Sequence, residues 1–187
     1  MKKWQIILAV VGLTGLTLLL FISPATAKIA ETELNFFISF IRRRNPQLSE
    51  DDIGRIAENI LIWSEERNLD PYLVLALMWQ ESLFNPHVVG TIGERGLMQM
   101  SGVAIQELNE TYGTKYLYEA LFDIGHNIQA GTHYLYYAFT YPREYDEFTA
   151  VARYRTPYDI ERSYWYATQV LAKKREILEE REKFNKE

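Results

Sequence analysis

Apolar residues recur at helical spacing along most of the chain, and this pattern predicts a mostly α-helical protein. The first apolar stripe, over residues 29–41, ends at a basic and turn-forming run over residues 42–46. A second stripe follows Ser49 and Asp52, whose spacing is typical of a capping box at a helix start. The sequence shows no series of strand patterns, no internal repeat and no linker rich in proline and serine. We therefore expect a single, mostly α-helical domain.

The third predicted helix is the most apolar of the domain. It begins at Asp70 and Pro71, which are typical of an N-cap carboxylate and a first-turn proline. Residues 72–79 are apolar almost all round, a pattern typical of a buried helix. The segment 86–100 contains three glycines and predicts a folded loop or a short hairpin. Helical patterns then return near residues 102–110, 123–141, 146–155 and 158–184.

The first 27 residues have the features of an export signal. Two lysines open the chain, an uncharged and mostly apolar run covers residues 4–22, and Ala25-Thr26-Ala27 has the small-x-small form of a cleavage site. Cleavage there would make Lys28 the first residue. As a helix the apolar run reaches about 28 Å, so an uncleaved anchor that attaches the protein to a membrane is the alternative. Both interpretations predict export to the periplasm or cell envelope.

Composition and charge exclude several classes of function. The 187 residues contain no cysteine, which excludes disulfides, a thiol nucleophile and cysteine-ligated metals. A formal net charge of −5 and a pI near 5.4 argue against nucleic-acid binding, which needs a basic surface. His126 and His133 lie two helical turns apart, about 10.5 Å, too far to share one metal ion. We therefore predict no metal site and no cofactor.

Glu81 is the carboxylate that ends the apolar third helix. The nine residues before it include one polar side chain, Gln80. A carboxylate packed against such a helix is desolvated, which raises its pKa above the value of about 4.3 for a free glutamate. A glutamic acid that stays protonated near neutral pH can act as a general acid. The helical pattern alone fits equally an exposed glutamate at the end of an ordinary core helix.

An ordered set of motifs follows from Glu81 onwards. The first part reads Glu81-Ser82-x-Phe84-Asn85-Pro86 and then Gly93-x-x-Gly96-Leu97-Met98-Gln99. Three shorter motifs lie downstream: Asn127-Ile128-x-x-Gly131-x-x-Tyr134-Leu135, Ala150-x-Ala152-x-Tyr154 and Tyr166-Ala167-x-x-Val170. In this order and register they closely resemble the signature of the soluble lytic transglycosylases, the SLT-domain family related to goose-type lysozymes. The resemblance covers about residues 50–172.

This resemblance implies a lysozyme-like, mostly helical fold with a glycine-rich loop or short hairpin beside a cleft. Glu81 would be the single catalytic acid/base, and peptidoglycan glycan strands would be the substrate. The enzyme would cut the β-1,4 bond between N-acetylmuramic acid and N-acetylglucosamine and leave 1,6-anhydro ends. The implied organisation is a signal segment at 1–27, an N-terminal helix at 28–48 and the catalytic domain at 49–187.

The same matching implies a set of substrate-binding residues in the cleft: Ser82, Met98, Gln99, Asn127, Tyr154 and Arg155. Arg155 departs from the family, which usually has asparagine at this position. An arginine fork suits a planar carboxylate, so we expect Arg155 to bind a carboxylate of the substrate. The alternative is a local ion pair between Arg155 and Asp159 or Glu161.

Glu94 is the second departure, because the family usually has alanine there. It is either a solvated loop residue paired with Arg95 or a second carboxylate at the cleft. Two further functions therefore stay open beside the transglycosylase. One is a lysozyme-type hydrolase in which Glu94 or Asp123 activates water. The other is a non-catalytic wall-binding module of the same fold.

Overall fold

The protein is described by a computed structural model, which covers residues 24–156, 161–184 and 186. The predicted signal segment lies outside these residues, except for its last four, which begin the first helix. The seven α-helices of the described residues are α1 (Pro24–Arg44), α2 (Glu50–Glu66), α3 (Pro71–Ser82), α4 (Gly102–Tyr112), α5 (Ile124–Thr140), α6 (Glu147–Arg155) and α7 (Tyr164–Phe184). Short 3₁₀ helices occupy Tyr118–Ala120 and Glu161–Ser163. The prediction of a mostly α-helical fold is confirmed.

Side-chain caps fix the helix starts that the sequence predicted. The hydroxyl of Ser49 accepts a hydrogen bond from the backbone N–H of Asp52 at 3.1 Å and begins α2. The carboxylate of Asp70 accepts one from the N–H of Tyr72 at 2.9 Å and begins α3, with Pro71 in the first turn. Each cap satisfies a backbone donor that has no partner within the helix, which is why these positions begin helices.

Helix α3 runs through the centre of the core. Its residues 73–78 are at most 1% exposed, in agreement with the apolar pattern. Helices α2 and α7 pack against α3, and α5 and α6 complete the surrounding layer. The last turn of α3 is therefore held by packing on several sides, so a side chain placed there has a fixed position.

Side chains of helices α1 and α7 contact each other although the two helices are distant in the sequence. The ring centroids of Phe36 and Phe184 are 5.5 Å apart. The Nε of Arg181 donates a hydrogen bond to Oε1 of Glu33 at 3.0 Å. At the other end of α1, Arg44 pairs with Glu180 at 2.6 Å. The N-terminal helix is thus part of the same core as the rest of the domain. None of the described helices is long and apolar enough to span a bilayer.

The glycine-rich segment after α3 is a folded loop. Two isolated antiparallel bridges, between Val89 and Arg95 and between Arg95 and Met100, hold its backbone together. The prediction of a folded loop or short hairpin is therefore confirmed in its looser form, because these single bridges do not extend into strands.

Candidate active site

Glu81 lies in the last turn of α3, and the glycine-rich loop folds back against this turn. The hydroxyl of Ser82 donates a hydrogen bond to the carbonyl of Leu97 at 2.7 Å, which ties the loop to the helix. The loop turns at Gly96, whose φ of +75° favours glycine. A Cβ at this position would also lie 2.3 Å from the carbonyl oxygen of Leu121.

Helix α5 holds the loop from the opposite side. The side-chain amide of Asn127 accepts a hydrogen bond from the N–H of Met98 at 2.8 Å and donates one to the carbonyl of Arg95 at 2.9 Å. One turn later Gly131 lies directly against Met98, since a Cβ there would be 2.4 Å from the sulfur. The loop is therefore fixed by α3 and α5 together.

These elements enclose a cleft with two adjoining chambers. The larger chamber has a volume of about 640 Å³, and the smaller one about 430 Å³. Four residues line both chambers and form the wall between them: Glu81, Glu94, Gln99 and Arg155. The larger chamber is completed mainly by α4 and by tyrosines, including Tyr134 and Tyr154. Its size is in the usual range of ligand-binding clefts.

The carboxyl group of Glu81 is tuned by its surroundings. Burial raises the pKa of Glu81 to about 7, the hydrogen bond from Tyr166 and the charge of Arg155 lower it, and the carboxylate of Glu94 raises it. The hydroxyl of Tyr166 donates to Oε1 of Glu81. A carboxyl group with this pKa is substantially protonated near neutral pH and can give up its proton to a bound substrate.

Tyr154 supports the backbone beside the cleft. Its buried hydroxyl donates to the carbonyl of Met98 at 2.7 Å, and its ring forms part of the larger chamber. Burial raises the pKa of both Tyr154 and Tyr166 well above the ordinary value, so both hydroxyls remain donors. Tyr134 packs edge-on to Tyr154 with ring centroids 5.5 Å apart.

The structure divides the residues that the sequence singled out into two groups. Glu81, Gln99, Tyr154 and Arg155 line the cleft. Ser82, Met98 and Asn127 are buried beneath it, where Ser82 and Asn127 bond to loop backbone and Met98 fills the space against Gly131. The motifs therefore combine residues that face the cleft with residues that hold its walls.

Arg155 lies at the wall between the two chambers. Its side chain is exposed, and its guanidinium carbon is 5.9 Å from the ring centroid of Tyr166. Within the described part of the chain it forms no ion pair with Glu161, and Asp159 lies outside that part. Arg155 lines both chambers, and its charge acts on the carboxyl group of Glu81.

Glu94 is buried, with 9% of its surface exposed, and lines both chambers. The backbone N–H of Ile92 donates to its Oε2 at 3.1 Å. Arg95 does not pair with it, because the guanidinium lies over the ring of Tyr118, 3.9 Å from the centroid. The structure supports the interpretation of Glu94 as a second carboxylate at the cleft.

Asp123 lies away from both chambers. Its carboxylate caps α5 by accepting from the N–H of His126 at 2.8 Å, and it lies 3.4 Å from Arg55. Among the described residues no group of three or more histidine, aspartate and glutamate side chains comes together as metal ligands.

No role was predicted from the sequence for two aromatic residues at the smaller chamber, Tyr166 and Trp165. Tyr166 was part of the last motif, but its hydrogen bond to Glu81 joins positions 85 residues apart. Trp165 lines the smaller chamber, and its position directly before that motif was the signal available in the sequence. The positions of both residues at the cleft depend on how α7 packs beside α3.

Comparison with known proteins identifies the fold and the family. No curated protein matches the chain. The crystal structure of the 70 kDa soluble lytic transglycosylase SLT70 from Escherichia coli matches with a TM-score of 0.58 and 16% sequence identity, over 76% of this chain and 29% of that one. This likeness shows a shared fold, so the prediction of a lysozyme-like helical fold is confirmed, and the chain spans less than a third of the length of SLT70. The model of the transglycosylase SLT domain matches residues 58–173, more than half of the chain, and the protein therefore belongs to the transglycosylase SLT-domain family.

Proposed function

We propose that the protein is a peptidoglycan lytic transglycosylase with Glu81 as its single acid/base. The observation that carries this proposal is a carboxyl group whose burial raises its pKa to about 7, in the wall between the two chambers. Membership of the SLT-domain family supports the assignment of the glycan substrate. The bond cut would be the β-1,4 bond between N-acetylmuramic acid and N-acetylglucosamine.

The reaction would proceed in two proton transfers at Glu81. The protonated carboxyl group gives its proton to the glycosidic oxygen, and the bond from that oxygen to C1 of the muramyl residue breaks. The hydrogen bond from Tyr166 stabilises the carboxylate that results. This carboxylate then takes the proton of the muramyl C6 hydroxyl, whose oxygen bonds to C1 and closes the 1,6-anhydro ring. Glu81 ends protonated and no water is consumed, and the attack within one sugar gains from proximity.

The remaining residues would act in two ways. We assign substrate contacts to Gln99, Tyr154 and Arg155, which line the cleft. Ser82, Met98 and Asn127 would act indirectly, since their contacts fix the loop that carries Gln99.

Arg155 would bind a carboxylate of the lactyl or stem-peptide group. Arg155→Lys keeps the charge but removes the two-pronged donor, so binding of peptide-bearing glycan should weaken by about 1–2 kcal/mol. Cleavage of naked chito-oligosaccharide, which has no carboxylate, should change much less. Equal losses on both substrates, or none on either, would assign Arg155 a structural role instead.

A lysozyme-type hydrolase is the second candidate function. The buried carboxylate of Glu94 beside Glu81 favours it, because glycosidases that use water commonly place two carboxylates at the bond. Glu94 would then take a proton from the attacking water.

Product mass separates the two candidates. Digestion of purified peptidoglycan by the transglycosylase should release muropeptides lighter by one water than those from a hydrolase. Glu81→Gln, a nearly isosteric change, should reduce cleavage at least 10²–10⁴-fold, the usual contribution of a general acid. Turnover at the parent rate by a folded Glu81→Gln protein would exclude Glu81 from the reaction. The absence of any cleavage by the parent chain would favour a wall-binding module.

The proposed substrate is consistent with export to the cell envelope. N-terminal sequencing of protein recovered from the envelope should begin at Lys28. A full-length product embedded in the membrane would show that the N-terminal segment is an anchor.

A further inference from the structure

The described residues contain three tryptophans, and one of them differs from the other two. Trp63 donates a hydrogen bond from its ring to Asn59 at 3.2 Å, and Trp79 has the guanidinium of Arg44 4.4 Å from its ring centroid. Trp165 is 69% exposed, and no hydrogen bond or ring contact joins it to another described residue. Tryptophan is usually highly buried, so an indole left open to solvent indicates a surface that a ligand can cover.

Trp165 is one of the residues that line the cleft. It lines the smaller chamber together with Gln80 and Thr91 and is absent from the lining of the larger chamber. It directly precedes Tyr166, whose hydroxyl holds the carboxyl group of Glu81. The backbone of residue 165 therefore lies one peptide unit from Tyr166, in the first turn of α7 beside Glu81.

The chemistry of the indole ring restricts what it can bind. Sugars in a β-1,4 glycan direct their hydroxyl and acetamido groups outwards and present C–H bonds on the ring face. Such a face packs well against the electron-rich face of an aromatic ring, and the contact buries a large apolar area. The indole carries no charge, while the charged donor of the cleft, Arg155, lies at the wall that both chambers share.

We propose that Trp165 is a stacking platform for an uncharged N-acetylhexosamine ring of the glycan in the smaller chamber. This inference rests on the proposed function and adds a substrate-binding residue to it. Because stacking uses the C–H face of the sugar, Trp165 contributes equally to naked and peptide-bearing glycan. Arg155, in contrast, distinguishes the two.

Binding by the whole chain in the Glu81→Gln background tests this inference without turnover. Tryptophan emission should shift to shorter wavelength when a chito-oligosaccharide tetramer or a peptide-bearing tetrasaccharide binds. The shift should disappear in Glu81→Gln/Trp165→Phe. The difference between the emission of the two variants isolates Trp165 from the other tryptophans. Calorimetry should show about tenfold weaker binding of both ligands by Glu81→Gln/Trp165→Ala, and a smaller loss for the phenylalanine variant. Leu178→Ala, at an exposed apolar position on the same helix outside the cleft lining, should bind both ligands as the parent does.

Two results would overturn the inference and differ in what else they affect. The first result is that Glu81→Gln binds the glycans by calorimetry without a change in tryptophan emission, and that Glu81→Gln/Trp165→Ala binds them equally tightly. This result would show that Trp165 does not contact the glycan, and it would leave the proposed function intact. Failure of the chain to bind or cleave any of these glycans would overturn the proposed function together with the inference.

Discussion

At Glu81, burial keeps the carboxyl group protonated near neutral pH, because it makes the ionised form unfavourable in the folded protein. The pKa of this group rises from its ordinary value of 4.5 to about 7. Between these two pH values the folded chain binds more protons at position 81 than the unfolded chain does. The contribution of Glu81 to stability therefore falls as the pH rises through this window, and its full cost is present above pH 7.

Glu81→Gln should make the protein more stable at alkaline pH while it abolishes activity. The gain in the free energy of unfolding should reach about 3 kcal/mol above pH 7 and vanish below about pH 4.5. Urea unfolding at pH 4 and pH 8 measures the difference. Glu58→Gln, at an exposed position on α2, is the control for a surface substitution of the same kind. A gain that is equal at both pH values would contradict a raised pKa at Glu81.

The groups around Glu81 should move the pH profile of kcat/KM in opposite directions. The proposed reaction needs the protonated form of Glu81, so activity should fall as the pH rises through about 7. Tyr166→Phe removes a hydrogen bond that lowers the pKa, and the alkaline fall should move to higher pH. Glu94→Gln removes a like charge, and the fall should move to lower pH. A shift of the alkaline fall in the same direction in both variants would contradict this account of the electrostatics.

At the scale of elements, the cleft depends on how α5 supports a loop that has little regular structure. Asn127 and Gly131 lie one turn apart on α5, so both meet the loop on the same face of the helix. Asn127 bonds to the loop backbone, and Gly131 leaves space for the side chain of Met98. The substrate contacts that we propose for the loop thus depend on residues buried beneath the cleft.

Gly131→Ala should destabilise the protein and displace the loop. The new Cβ would lie 2.4 Å from the sulfur and 2.6 Å from the Cβ of Met98, and overpacking of this kind costs about 1–3 kcal/mol. Gly54→Ala on α2 is the matched control, since a Cβ added at Gly54 would have no neighbouring atom within 4 Å. The control should stabilise the protein by about 0.5–1 kcal/mol, because alanine loses less chain entropy on folding than glycine does. Urea midpoints measure both changes, and equal effects would contradict the close packing of Gly131.

At the scale of the whole molecule, the first and last helices close the domain around α3. Phe36 on α1 is fully buried and contacts Phe184 on α7 as well as Tyr72 on α3. The family match at 58–173 covers neither α1 nor the end of α7. The segment that matches the family therefore shares its core with two flanking segments that lie outside that match.

Phe36→Ala should lower the free energy of unfolding by about 3–5 kcal/mol, the usual cost of removing a buried phenylalanine side chain. Ile29→Ala, on the same helix at a position that is 64% exposed, should change it by less than about 0.5 kcal/mol. Chemical denaturation measures the free energy of unfolding of both variants, and thermal unfolding checks the result. Similar small effects for both variants would show that α1 is an independent appendage.

The helix starts and the central helix could be predicted because they depend on neighbours in the sequence. Ser49 and Asp70 cap helices through contacts two or three residues away, and residues 72–79 show their burial in their own composition. The family motifs likewise placed Glu81 in the predicted cleft before any contact was known. Local chemistry and an ordered pattern of residue types were sufficient for these conclusions.

The tertiary structure decided which side chains meet. The bond from Tyr166 to Glu81 and the bond from Tyr154 to Met98 cross 85 and 56 residues, and no spacing rule in the sequence predicts them. Sequence bias treats a loop glutamate as solvated, yet Glu94 is buried because the loop closes over it. The sequence by itself determined the helices, the family and the catalytic candidate. Packing between distant helices decided the pKa of that candidate and the walls of its cleft, because desolvation and charge depend on distances that only the folded chain sets.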